Sequence, residues 1–476
     1  MLRLRYLASV VGLSSLVVAA CSGDGSGSIG GDGGEAVGGE GHGPDPDPGG
    51  AGGEETGAAG GCSVDGSGSV VVEITGLPDG VEADVLVTGP NELGFTVGDT
   101  IMDVAAGTYS VSAARVFDAD PIVRTVFDPS VDATDFCLAD GATQTIEVSY
   151  GAIPSSNKLW MPTDQDDELA GYSSFAIATT GITDATVSIN GPGSKSVAFD
   201  RDGNLWALGP TLADPHVVRF PAASLGESAE LMPDISINLP EITCSVALAH
   251  LAFDAEGNLW LTSPCLDEVL RVPAADLATS DDKAADALFT GVTNPDGLGF
   301  DSDGNLWIGG GPTLLRFDAA RLGTVDGDPA DLELSVTSAE DANLGLQAAV
   351  FAFDTDGNLW GIDLGVNMVF QVPVASLGSS GAQSVQAAVS FAVGITALPD
   401  LPVFDDGGGL WLNLTGGVAG GSFGRFSPEQ LTMSTGTGGA VVPEVLITSP
   451  SIGSGLPLAF FPAPEGLPLF HSLPAP

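Results

Sequence analysis

The chain has 476 residues, with 62 acidic against 13 basic, a formal net charge of −49. That imbalance repels phosphate backbones and excludes nucleic acid as a partner, while favouring solubility, cationic ligands or divalent ions. None of the five cysteines has metal-site spacing, and their number suits one special cysteine plus disulfides in an exported chain.

Arg3 and Arg5 precede an apolar run over 6–18, then Ala19-Ala20-Cys21. A basic patch, a short apolar stretch and small residues make an export signal over 1–20. The run falls short of the roughly 20 residues of a spanning helix. Val18-Ala19-Ala20-Cys21 resembles the bacterial lipobox, which implies cleavage before Cys21 and acylation of that cysteine. The chain would then be held on the membrane of the bacterial cell envelope by a lipid anchor, in the periplasm or at the outer surface.

After Cys21, residues 22–61 hold 18 glycines, eight acids and no Lys or Arg. Such a segment cannot bury enough apolar area to offset its ordering entropy, so a disordered stalk is expected over 21–61. A Gly-rich coil of this length has an end-to-end distance of about 35 Å.

Residues 62–150 read as a small β-sandwich. Runs at 69–74, 83–87, 108–113 and 145–150 are rich in Val, Ile, Thr and Tyr and are separated by Gly, Pro and Asn. Ala106-Gly107-Thr108-Tyr109-Ser110-Val111 resembles a strand of Ig-like bacterial surface modules. Cys62 and Cys137 flank the unit, so a disulfide between them would tie its start to its far edge. Closing so long a loop contributes about 4 kcal/mol.

From 156 to 476 the chain repeats. Phe-Asp-x-Asp-Gly-Asn-Leu-Trp at 199–206 returns, with small changes, at 253–260, 300–307 and 353–360, and more loosely at 404–411. All six tryptophans follow Leu, at spacings of 46, 54, 47, 53 and 51 residues. A period near 50 with several strands per copy is the signature of a β-propeller blade. In one copy the four strands fall at 197–200, 205–208, 217–220 and 234–237. The repeated Phe and Trp are expected between blades, each ring burying about 150 Å² or more.

The first copy, at Lys158-Leu159-Trp160, starts with a second strand, and 456–461 reads as a lone first strand. Pairing the two closes an all-β ring of six blades; a seventh, degenerate blade using 467–470 is the alternative. These copies resemble the six-bladed NHL, gluconolactonase–regucalcin and virginiamycin B lyase propellers, which implies that fold and a ligand at the mouth of the central funnel.

Aligned on the first-strand Phe, the copies place Leu456, Lys195, Ala249, Asp296, Ala349 and Asp400 around that mouth, in blades 1 to 6. Asn294-Pro295-Asp296-Gly297 is similar to a gluconolactonase motif whose Asp binds metal. The family's other ligands, a Glu and an Asn, are replaced here by Lys, Ala or Leu, which argues against a lactonase. A lyase needs a His at the funnel; of His216, His250 and His471, His250 lies nearest, one residue past the ring position. The Asp-x-Asp-Gly-Asn segments look like the start of a calcium loop, but Leu-Trp follows where an acid is needed, so they are expected to be tight turns.

The sequence therefore predicts a non-enzymatic binding or scaffold propeller taking a small molecule, glycan or protein at its mouth, through Lys195, His250, Asp296 and Asp400. The alternative is a metal-dependent hydrolase or a lyase. No cofactor is expected beyond a divalent cation. Cys244 and Cys265 lie in connections that emerge at the same rim, so a second disulfide is expected there.

Overall fold

The computed structural model describes residue 62 and residues 64–464, apart from 164–167, 192–194, 210–215, 241–249, 291, 324–328, 396–400, 415–420, 436–438, 451 and 453–456. The expectations for Cys21, the signal peptide, the stalk, Cys244, Ala249, Asp400, Leu456, His471 and 467–470 lie outside the described residues.

The described chain is a β-sandwich followed by a β-propeller. One sandwich sheet runs in the order Asp99–Ala105, Ser67–Thr75, Thr143–Ala152, Val126–Val131, Val116–Phe117; the other runs Glu92–Phe95, Val85–Thr88, Gly107–Ala113, Asp135–Leu138. Val70, Val72, Val85, Val87, Tyr109 and Ile146 alternate inward with period two and form the core between the sheets. A disulfide joins Cys62 and Cys137, with Cα atoms 5.6 Å apart. The sequence runs marked four of these strands. Of the unmarked strands, Glu92–Phe95 and Asp135–Leu138 are short and have no β-branched residue, whereas Asp99–Ala105 and Val126–Val131 are longer and interrupted by Asp or Pro.

Six sheets of blade pattern follow. In blade 2 the strands are Val197–Phe199, Leu205–Leu208, His216–Phe220 and Ile235–Asn238, all antiparallel neighbours. Blade 1 uses Lys158–Pro162, Glu168–Ser173 and Val187–Asn190, and takes its innermost strand, Ala459–Phe461, from the far end of the chain. Blades 3 to 6 begin with Leu251–Phe253, Leu298–Phe300, Val350–Phe353 and Val403–Phe404.

Apolar clusters join successive blades. Phe199 packs with blade 1, Phe253 with blade 2, Phe300 with blade 3, Phe353 with blade 4 and Phe404 with blade 5. Phe460 and Trp411 share the cluster that joins blade 6 to blade 1. The periphery is sewn in the same direction. Connectors Ala229–Glu230, Asp281–Asp282, Gly381–Gln386 and Ala440–Val441 each pair in parallel with the outer strand of the preceding blade. Gly181–Ile182 of blade 1 does the same to Val445–Ser449 of blade 6.

The repeated turn explains the recurrence of its residues. Gly203, Gly257, Gly304, Gly357 and Gly408 all have positive φ, between 76° and 83°, which a Cβ would strain. The Asp200 carboxylate accepts from the Asp202 and Asn204 amides, the Asn204 side chain and the Trp206 indole. Asn204 Oδ1 in turn accepts from the Ala222 amide. The carboxylate is consumed by the fold, as the turn reading requires.

The sandwich is tied to the propeller through residues 115–126. Arg124 Nε lies 2.9 Å from Asp406 Oδ1, in the first turn of blade 6, and the Asp406 amide donates to Ile122 O. Arg115 pairs with Asp128 and donates to Arg201 O in the turn of blade 2. Asp120 accepts from Ser174 Oγ of blade 1 at 2.8 Å.

Candidate funnel-mouth site

Each innermost strand ends its sheet, so one backbone edge of every blade faces the axis. The space they enclose is about 230 Å³, and the side chains around it are apolar, including Ala198, Ala252, Phe351, Val403 and Phe460. Period-two alternation sends Val197 and Phe199 toward one neighbouring blade and the smaller Ala198 toward the other. The axis thus offers backbone polarity and apolar walls, and Lys195, His250 and Asp296 lie just before the first strands of blades 2, 3 and 4.

Two of the expected site residues meet there. His250 precedes the first strand of blade 3, and Asp296 lies two residues before the first strand of blade 4. His250 Nδ1 is 3.1 Å from Asp296 Oδ1, an ion-pair distance that falls outside hydrogen-bond geometry. The imidazole is buried, whereas the Asp296 side chain is 32% exposed, so the carboxylate is the solvent-facing member.

Thr262 holds this pair. Its Oγ1 accepts from the His250 amide and donates to Asp296 O at 2.8 Å, bridging blades 3 and 4. The Asp296 amide donates to Gly309 O, and Gly297 N donates to Ala349 O of blade 5. Asn294, at φ 48°, donates its amide to Asp267 Oδ1 in the turn after the second strand of blade 3. The rim from blade 3 to blade 5 is therefore a continuous hydrogen-bonded arc.

Lys195 is exposed, at the entry to blade 2. His216 begins the third strand of blade 2, its ring against Gly209. Among the described residues no group of three or more His, Cys, Asp or Glu is placed to hold a metal ion. Thr262 and the arc were not found from the sequence. Its one available signal was a polar residue in blade 3 at the place of Leu208 in blade 2, Ala207 and Leu261 having the same register.

No protein-family model matches the sequence, and no curated protein matches it. Among solved structures the chain is similar to a streptogramin B lyase, at 13% identity and TM-score 0.31, over 50% of this chain and 66% of that one, just under two thirds. It is similar to virginiamycin B lyase from Staphylococcus aureus with quinupristin, at 14% identity and TM-score 0.33, over 57% and 71%. It is also similar to regucalcin, a calcium-binding protein from Agrobacterium tumefaciens, at 16% identity and TM-score 0.31, over 54% and 76%. These are likenesses of fold.

The turn that carries Asp267 also carries Cys265, which is disulfide-bonded. Its Sγ lies 3.7 Å from the buried Ser263 hydroxyl. A covalent link thus enters the rim two residues from the side chain that fixes Asn294, and three from Thr262.

Proposed function

We propose that this chain is a lipid-anchored envelope protein whose propeller binds a ligand at the funnel mouth without turning it over. One observation carries the reading: His250 and Asp296, on different blades, are held together by Thr262 on a rim fixed by backbone hydrogen bonds and a disulfide-bonded turn. A fixed rim lowers the ordering cost of binding. The half-buried, solvent-facing Asp296 carboxylate in a chain of charge −49 favours a neutral or cationic ligand. The basic patch, apolar run and Val18-Ala19-Ala20-Cys21 support the anchor.

A thermal-shift screen against sugars, cell-wall fragments, peptides and divalent metal salts tests the binding. A ligand should raise the melting temperature of the native protein and fail to do so with Asp296→Asn. Cys21→Ser should move the protein from the membrane fraction to the soluble one.

The same pair also supports a second reading, a hydrolase or lyase. An imidazole 3.1 Å from a carboxylate can take and return a proton. Turnover of lactone or cyclic-depsipeptide substrates that is lost in His250→Gln would favour it over the first.

A further inference from the structure

We propose that the outer edge of blade 4 is a docking site for an extended, basic peptide segment of another protein, which would add to the sheet as a further strand. The site is separate from the funnel mouth. Its strand is Gly381–Gln386, the connector of blade 5, which lies parallel to Leu332–Thr337 over six register positions. The other four connectors of this kind are two residues long. Only here, among the described residues, does the periphery present a long ladder edge.

The backbone directions follow from the printed bonds. The Gly381 amide donates to Asp331 O and the Ala387 amide to Thr337 O, so odd-numbered residues face inward. The N–H and C=O groups of Ala382, Ser384 and Gln386 therefore point away from the sheet. All three residues are exposed, and no described residue pairs with that side. Soluble proteins usually blunt such an edge with a charge, a proline or a bulge. This strand has none of these, and residues 364–399 contain no charged side chain in a chain with 75 of them.

Strand addition supplies affinity through main-chain bonds and specificity through alternate side chains. Charge selects the occupant. Glu333 is exposed and directly opposite Ala382, and the whole chain carries −49. An acidic strand, or a second copy of this chain, would be repelled, whereas a strand with Lys or Arg on one face is attracted.

The test uses the mature full chain and two hexapeptides of alternating Thr and Val with a third residue type, Lys in one and Glu in the other, measured by calorimetry. The Lys peptide should bind one to one, at least tenfold more tightly than the Glu peptide, and weaken as salt is raised. Ser384→Pro removes an outward N–H and leaves the inward ladder, and should weaken binding at least tenfold. Should that variant misfold, Ala382→Lys/Ser384→Lys, which puts like charge beside the peptide, must give the same loss. Equal binding of both peptides, or binding unchanged in the folded variants, overturns the proposal. So does a dimer in sedimentation that Ser384→Pro dissolves, because the occupant would then be a second copy. Ligand binding at Asp296 is read independently and stands or falls by itself.

Discussion

Trp260 Nε1 donates a 2.8 Å hydrogen bond to Asp254 Oδ2, six residues back across the first turn of blade 3. The same bond joins Trp206 to Asp200, Trp307 to Asp301, Trp360 to Asp354 and Trp411 to Asp405. In blade 1, whose first strand comes from elsewhere in the chain, the Trp160 indole donates instead to Ser155 O. An indole N–H buried between blades needs an acceptor, and the turn that reverses the chain supplies one. Arg219 and Arg271 then lie over Trp206 and Trp260, each at 5.7 Å, and pair with Asp234 and Asp286. In blades 2 and 3, turn, ring and guanidinium form one unit.

Trp260→Ala should cost about 3 to 5 kcal/mol, as large core truncations do. Trp260→Phe keeps a ring but takes one of four donors from the buried Asp254 carboxylate, and should cost about 1 to 3 kcal/mol. Asp254→Ala combined with Trp260→Phe should cost less than the sum of the two, because they share one bond. Urea unfolding of the three variants measures this; strict additivity would mean the bond contributes nothing.

Much of this was legible because a propeller asks the same thing of every copy. Phe, Asp, Gly, Asn and Trp recur at fixed offsets where a strand, a turn and an inter-blade contact recur. The missing first strand at Lys158 and the lone one before Phe461 could be paired for the same reason. What was hidden depends on partners far away in sequence. Nothing near Arg124 announces Asp406, 282 residues on, and nothing in Asp281–Asp282 announces that it adds to the edge of another blade. Alignment on the repeated Phe puts Asp296 just before a strand, and it lies two residues before Leu298–Phe300. The meeting of His250 with Asp296 depends on the angle between two blades, which no local pattern encodes.

Arg124→Ala should destabilise the joint between sandwich and propeller in a pH-dependent way. Burial pushes the Asp406 carboxyl above its ordinary value, and Arg124 opposes that rise. A raised carboxyl leaves stability fully present below the unfolded value, and that contribution is lost as pH rises through the folded value. Removing Arg124 removes the opposing charge, so the loss grows. The variant should lose about 3 kcal/mol at pH 7, where a buried carboxylate is left unpaired, and clearly less at pH 4. Unfolding curves at the two pH values decide it; an equal loss at both would assign the effect to packing on Phe117, over which Arg124 lies at 4.7 Å.

Tyr172 gives an alkaline counterpart. It is fully buried, with its hydroxyl 3.1 Å from Ser449 Oγ, and burial pushes its phenol up to about 12. Below the ordinary value of 10 its contribution is complete; above it, the unfolded chain releases a proton that the folded chain retains. Stability should therefore fall between pH 10 and pH 12, and less steeply in Tyr172→Phe. Phenolate absorbance should show one tyrosine of the native protein titrating about 12, absent from the variant. A native protein whose tyrosines all ionise near 10 would contradict the buried placement.

The rim offers the last prediction. Cys265 is disulfide-bonded in the turn after the second strand of blade 3, and Cys244 lies in the connection that leads to His250. Both connection types emerge at the funnel mouth, so Cys244 is the expected partner, closing a loop of 21 residues. Peptide mapping without reductant should recover a Cys244–Cys265 pair beside the Cys62–Cys137 pair. By loop-closure entropy so short a loop contributes about 3 kcal/mol, and Cys244→Ser/Cys265→Ser should lose about that much. The more telling effect is local. Asp267, two residues on from Cys265, accepts from the Asn294 amide, and Asn294 leads into Asp296. Freed of the disulfide, this turn should let Asp296 wander from His250, so ligand affinity at the mouth should fall even at temperatures where the variant is fully folded. The same drop should appear in Asp267→Ala, which cuts the arc without touching a cysteine. If the double serine variant binds as tightly as the native protein, the rim is held by its hydrogen bonds alone.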